Sequence, residues 1–362
     1  MARKARRRTL AGALVLLIAS AGAGVLAVDF FRFLHSPLRE GPSESVTFTV
    51  ERGMPVARIA RKLGERGLID RPLYLRLAAR FTGDARRIQS GEYAIDTGTT
   101  PYRLLAKFAR GEVKTYKITL IEGWTFDQMM VAIHEHSALE HTLKDLAPEA
   151  IMARLGHPDQ HPEGRFFPDT YQFRRGTTDL KLLERAYERM QTVLTEEWAG
   201  RSEDLPLDTP YEALTLASIV ERETAVAEER ARIAGVFLER LERGMRLQTD
   251  PTVIYGLGDD FDGDLRWRDL RTDTPYNTYT RAGLPPTPIA MPARASIHAS
   301  LHPERRGELY FVSRGDGTHV FSKTYEAHKQ AVAKYQLGRD PSKVPDQGVS
   351  EDATDDGAQA GD

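Results

Sequence analysis

Two glutamates stand two residues apart at the end of an apolar run, in the stretch LASIVERETA from Leu216 to Ala225. Carboxyl groups can serve as general acids and bases, so the first question is whether Glu221 and Glu223 could share one cleft as a pair. The stretch lies in a helix whose start is written at Thr209, Pro210 and Glu212: a hydroxyl cap, a proline in the first turn and a glutamate three after the cap. At 100° per residue, Glu223 falls about 200° further round than Glu221, so one cleft does not take both as a pair. Steps of three and four from Tyr211 give Leu214, Ser218 and Glu221 as one stripe, and Ala213 to Val220 is apolar all round except for Thr215 and Ser218. Glu221 is therefore expected to turn towards a buried wall, which raises a carboxyl pKa into the range a general acid needs. Glu223 is expected to face solvent or an ion pair. The alternative for Glu221 is a structural pair with Arg230 or Arg232 of the next helix.

Other residues could bind a substrate. Gln248 and Asp250 in RLQTDPTVIYG follow the Gly244 helix stop and are expected in a loop, either lining a cleft or forming an Asx turn around Asp250-Pro251. Tyr255 closes the same stretch. Asn277 and Tyr279 in YNTY offer an amide and a phenol suited to sugar hydroxyls and N-acetyl groups, with loop anchoring as the alternative. Ser218 and Glu163 complete the candidate set. His298, His302, His319 and His328 lack metal-like spacing and are read as surface or hairpin residues. The chain has no cysteine, which removes lipoprotein attachment, disulfides and Cys-based metal sites. It contains no phosphate-cradling glycine loop and no nucleophile elbow, so neither a cofactor nor a metal is expected.

The elements that must position these residues follow from pattern. Arg3, Lys4, Arg6, Arg7 and Arg8 precede an uncharged run from Leu10 to Val28, nineteen residues and long enough to span a bilayer. The basic flank predicts an N-terminus in the cytoplasm, a single-pass anchor over 9–29, and everything beyond it outside the inner membrane, in the periplasmic or extracytoplasmic space. Phe30, Phe31 and Phe33 continue the run as an interfacial belt. A cleaved signal peptide is the rival reading, through the small residues at Ala21-Gly22-Ala23 and Val25-Leu26-Ala27. After a linker (30–44), residues 45–112 read as strand, two short helices and a returning strand: VTFTV, a helix through Val56, Ile59, Ala60 and Leu63, one bearing Leu73, Leu75, Leu77 and Phe81, then GEYAI, with Thr100-Pro101 opening a further helix. That pattern resembles a LysM-like module. Residues 113–336 mix strands and helices without strand–helix alternation, ending in a hairpin at ELYFVSRGDGTHVFS, so the class is α+β. The tail, 337–362, sets seven acids against Arg339 and Lys343 and is read as disordered. The net charge is −2 and no basic face is evident, which argues against a nucleic-acid partner.

Long blocks carry a resemblance. LASIVERETAVAEERARIAGVFLERLERGMRLQTDPTVIYGLG, then TPYNTYTRAGLPPTPI and HPERRGELYFVSRGDGTHVFSKTYEAH, with EGWTFDQM and GRFFPDTYQF upstream, resemble the endolytic murein transglycosylases, the YceG-like family, over roughly 45–335. The resemblance implies cleavage of the β-1,4 bond between N-acetylmuramic acid and N-acetylglucosamine within peptidoglycan strands, leaving 1,6-anhydro ends. It implies Glu221 as the essential glutamate, acting first as acid and then as base. It also implies peptidoglycan synthases as partners, because cutting nascent strands sets glycan length. A hydrolytic muramidase using Asp250 as second carboxylate, and a non-catalytic wall-binding scaffold, are the alternatives.

Overall fold

The computed structural model describes residues 2–39 and 45–338, and for residues 2–13 and 15 the backbone only. The basic side chains from Arg3 to Arg8 and the acidic tail from 339 lie outside that description. The chain divides into two compact units. Unit 1 comprises Met1–Tyr116 with Gln172–Gly176, and unit 2 comprises Lys117–Tyr171 with Thr177–Asp362. The expected boundary at 112/113 thus shifts four residues on, and unit 1 recruits a short segment from far along the chain.

Unit 1 begins with α1 (Ala2–His35), within which Leu16–His35 is long and apolar enough to cross a membrane and is not buried by protein. The helix does not give way to a linker at Phe30 as expected. Phe30 and Phe33 set their rings edge-on to Tyr74 at 5.3 and 5.6 Å, and both pack on the core of the unit. Of the three phenylalanines read as a belt, Phe31 alone stays exposed, at 64%. The remainder is β1 (Ser45–Val50), α2 (Val56–Glu65), α3 (Pro72–Phe81), β2 (Gly91–Asp96) and α4 (Pro101–Arg110). β1 and β2 are antiparallel, Ser45 opposite Asp96 and Val50 opposite Gly91. Thr100 caps α4 by accepting from the Arg103 N–H, and Gly111 ends it in the left-handed conformation at φ 66°. Phe48, Ile59, Leu63, Leu75, Tyr93 and Phe108 fill the core. The expected strand–helix–helix–strand order is present, but α3 differs in orientation: Leu75, Ala78 and Ala79 face inward, whereas Leu73, Leu77 and Phe81 do not.

The chain continues through β3 (Thr115–Thr119), α5 (Phe126–Glu135), β4 (Leu139–Glu140), α6 (Pro148–Arg154), β5 (Thr170–Arg174) and β6 (Thr177–Thr178), with β3 and β5 crossing the boundary between the units and the rest in unit 2. β3 pairs with β5 and β4 runs parallel to β6. Then follow α7 (Asp179–Ala199), α8 (Pro210–Glu223), α9 (Arg230–Glu242), α10 (Asp250–Leu257), α11 (Trp267–Arg271), α12 (Arg294–Leu301), the hairpin β7 (Tyr310–Ser313) and β8 (His319–Ser322), and α13 (Tyr325–Tyr335). The sheets described are all two-stranded, so helices carry the core and the class is α+β. α8 is its centre: Ala213 to Val220 are all buried, among α7, α9, α10 and α12. Its expected capping box is present, the Thr209 hydroxyl accepting from the Glu212 N–H and the Glu212 carboxylate from the Thr209 N–H. On α9, Gly235 lets the Glu304 carbonyl approach so closely that a Cβ there would stand 2.2 Å from its oxygen.

Candidate active site

A cleft of 770 Å³ opens in unit 2, and the last residue of α8 stands in its wall. That residue is Glu223. The Thr249 hydroxyl donates to one Glu223 carboxylate oxygen, and Asp250, Tyr279 and Arg240 line the cleft beside it. Burial pushes the Glu223 pKa up to about 7, helped by the Asp250 charge and opposed by the Thr249 hydroxyl and the Arg240 guanidinium. A carboxyl titrating there is half protonated near neutral pH, which suits a group that must give up a proton and then take one back.

Glu221 does not line the cleft. It continues the stripe as expected, but that face of α8 meets protein. The Ser218 hydroxyl accepts from the Ile289 N–H at 2.9 Å, and one turn on the Glu221 carboxylate accepts from the Ala293 N–H at 2.9 Å, at the start of α12. An anion there satisfies a donor that the helix N-terminus leaves open and complements the helix dipole. Neither expected arginine pairs with it: Arg232 makes a two-pronged bond to Glu308. The structure thus places Glu223, and not Glu221, among the residues that line the cleft. Between Ala213 and Val220 α8 is buried on every side, so its apolar stripe leads to the contact with Ala293 and the other side leads to the cleft.

The other candidates divide in the same way. Gln248, Asp250 and Tyr279 line the cleft. Asp250 is the first residue of α10 and not part of a loop, and it accepts the Tyr279 hydroxyl at 2.6 Å. Gln248 takes a left-handed backbone, φ 48°, and its side-chain oxygen accepts from Arg240 at 3.2 Å. Ser218, Asn277, Glu163 and Tyr255 are placed elsewhere. Ser218 is wholly buried and also donates to the Thr215 carbonyl. Glu163 accepts from the N–H groups of Phe126 and Gly164 and from the Tyr255 hydroxyl, and burial pushes its pKa up to about 7 as well, away from the cleft.

Asn277 is fully buried, its amide donating to the carbonyls of Asp269, Leu270 and Thr272 while its oxygen accepts from the Tyr279 N–H. It anchors the loop and does not meet sugar. Asn277→Ala should leave those carbonyls unsatisfied and cost about 2–4 kcal/mol of stability, read as a lower denaturant midpoint, with any loss of activity following unfolding.

Sequence patterns missed several wall residues. Arg240, in LERLERG, is buried and donates to the carbonyls of Leu309, Arg246 and Leu247. His319, read as a hairpin residue, is one, but it also lines the cleft, with Nδ1 2.7 Å from Glu229. A carboxylate partner on Nδ1 places a proton there. Trp267 and Thr249 carried no local signal.

Glu197, His298 and His302 bring ligand-type atoms within 4.8 Å of one another. The Glu197 carboxylate is already engaged by Arg294 at 2.6 Å and His298 at 2.8 Å, and His302 Nε2 lies 2.8 Å from the Gly200 carbonyl. The cluster works as a tether between α7 and α12.

The sequence profile of the YceG-like family matches residues 48–334. The chain belongs to the YceG-like family. It is 31% identical over 319 residues to the endolytic murein transglycosylase of Bacillus subtilis (strain 168), covering 83% of this chain and 88% of that protein. The endolytic murein transglycosylase of Streptococcus pneumoniae (strain D39) is 26% identical over 359 residues, and the match spans 64% of its length. Among solved structures, a YceG-like protein from Listeria monocytogenes aligns with a TM-score of 0.51 at 27% identity, over 79% of this chain and 98% of that one. The matched span of the family profile includes α8 and every lining residue of the cleft up to Val332.

Proposed function

We propose that this protein is a lytic transglycosylase acting within peptidoglycan strands, with Glu223 as its acid and then its base. The observation that carries the reading is a carboxyl held near neutral pKa in the wall of a large cleft, in a chain whose relatives are named endolytic murein transglycosylases. Protonated Glu223 gives its proton to the glycosidic oxygen as the C1–O4 bond breaks. The muramyl C6 hydroxyl then bonds to C1 and yields its proton to the Glu223 carboxylate. A 1,6-anhydro end forms, no water is consumed, and one carboxyl group serves both transfers. The Thr249 hydroxyl orients the acid, and Asp250 keeps its proton affinity high.

One feature favours a second reading. Asp250 is a second carboxylate in the same wall, and a carboxylate pair is what hydrolysis by activated water uses. Mass spectrometry of digested strands separates the two: anhydro-muramyl ends are expected, and reducing ends alone would exclude the lytic route. Glu221→Gln tests the placement of the acid. The amide oxygen can still accept from Ala293, so activity is expected within about threefold of wild type, because the group holds α12 and not substrate.

In the same reading, α1 anchors the protein in the cytoplasmic membrane with the N-terminus inside and everything beyond the helix outside. The LysM-like unit would engage glycan at its 440 Å³ hollow, where Arg52, Gln89, Ser90 and Arg174 offer hydrogen bonds. Peptidoglycan synthases are the proposed partners, since an enzyme that cuts nascent strands works where they emerge.

A further inference from the structure

The anchor helix ends against α3, and α3 leaves one face uncovered. Leu73, Leu77 and Phe81 recur every four residues along it and are 58%, 37% and 78% exposed. At 100° per residue they share an arc of about 80°. Tyr74, on one flank of that arc, sets its ring against Phe30 and Phe33 and donates its hydroxyl to Asp29, all on α1. Arg71 adds an ion pair to the same aspartate. On the other flank stand Arg76 and Arg80, both exposed. The next turn adds exposed Arg86 and Arg87, and among the described residues none of these four is seen in an ion pair. Leu75, Ala78 and Ala79 take the remaining side, into the core.

Circling α3, the order is therefore anchor contact, apolar stripe, arginines, core. Apart from α1, unit 1 exposes four large apolar side chains among the described residues: these three and Tyr102 on α4. The Tyr102 ring lies 5.7 Å from that of His35, at the end of α1. The exposed apolar surface of the unit is thus gathered on the two helices that meet the end of the anchor. Contiguous exposed apolar surface marks an interaction site.

We propose that α3 lies on the bilayer surface, with Leu73, Leu77 and Phe81 in the headgroup–acyl boundary and Arg76, Arg80, Arg86 and Arg87 on anionic headgroups. This rests on α1 spanning the membrane and is independent of the chemistry at Glu223. The occupant follows from attachment and charge. Asp29 ties α3 to the C-terminal end of the anchor helix, and an apolar stripe edged by arginines is the surface an interfacial helix presents to anionic lipid.

The absence of cysteine makes the test clean, because a single introduced thiol reports one position. The full chain carrying Leu77→Cys or Phe81→Cys, labelled with a polarity-sensitive fluorophore, would be reconstituted into vesicles of phosphatidylcholine and phosphatidylglycerol. Blue-shifted emission quenched by spin-labelled lipids is expected at both positions, with aqueous emission from an Arg61→Cys control on α2. Adding Arg76→Glu and Arg80→Glu should reduce the quenching at least twofold in phosphatidylglycerol vesicles. Aqueous emission at position 77 overturns the proposal. So does blue-shifted emission that lipid quenchers miss and that grows with protein concentration, which would assign the stripe to a second copy. Carbonate extraction of the chain, showing α1 uninserted, overturns it too. Strand cleavage assayed on the same vesicles reports separately on the proposed function.

Discussion

Glu223→Gln is expected to fold, to bind glycan strands and to lose at least about 10³-fold in kcat, because an amide supplies neither the proton for the leaving oxygen nor the base for the C6 hydroxyl. The same carboxyl sets a pH dependence. Glu223 is pushed up to about 7, so its acid form dominates below that pH and the acid-requiring step should weaken as pH rises past it. Asp250→Asn removes a charge that raises this pKa and should move the alkaline limb of the kcat profile to lower pH.

Stability falls with rising pH as well. The folded carboxyl holds its proton to higher pH than the unfolded one, whose ordinary value is 4.5, so folding loses free energy as pH climbs from that value through about 7. The neutral amide of Glu223→Gln avoids that cost, which is on the order of 1–3 kcal/mol above neutral pH. The variant should therefore melt higher than wild type in mildly alkaline buffer and nearly alike at pH 4.5, where the folded carboxyl is protonated and the unfolded one half protonated. A protein that is inactive yet more stable at alkaline pH would tie both effects to one proton. Retained wild-type turnover would remove Glu223 from the chemistry.

Gly235→Ala should be the most damaging single methyl in unit 2. The added carbon would stand 2.2 Å from the Glu304 oxygen and 2.9 Å from its carbonyl carbon, both backbone atoms. The segment cannot simply swing away, since the Glu304 N–H donates to the Ala231 carbonyl of α9 at 2.9 Å. Alanine's better helix propensity returns at most about 1 kcal/mol. A net loss of about 3 kcal/mol is expected, lowering Tm by roughly 6–12 °C for a unit of this size. An unchanged melting temperature would show that α9 and the 304 segment part freely.

Local chemistry made several elements readable from residues alone. Thr209-Pro210 with Glu212 starts α8, Thr100-Pro101 starts α4, and the Gly-Asp-Gly turn joins β7 to β8 where expected. These signals are complete within a few residues. The site was only half readable, for a physical reason. Periodicity tells which side of a helix is apolar, but the middle of α8 is packed all round, so its stripe could not say whether protein or cleft lay beyond Glu221. That was decided by Ala293 and Thr249, 72 and 26 residues away in the chain. Asn277 shows the same limit. An amide suited to sugar is equally suited to three buried carbonyls, and only the fold decides which it meets. On α3, alternating apolar and arginine residues give a helical pattern whichever face is buried, so the sequence reading could not see that Ala78 and Ala79 go inside while Phe81 stays out.

The return of Gln172–Gly176 to unit 1 bears on the order of assembly during synthesis. Tyr116 stacks on Phe173 and Arg175 pairs with Glu92 at 2.8 Å, so the first unit is finished by residues made after the chain has already begun the second. At ribosomal speeds of about 5–20 residues per second, several seconds separate Tyr116 from its partner. A nascent chain halted near residue 120 would hold its first unit one strand short, and truncation there would not yield a finished module. The two units are consecutive in name but interleaved in time.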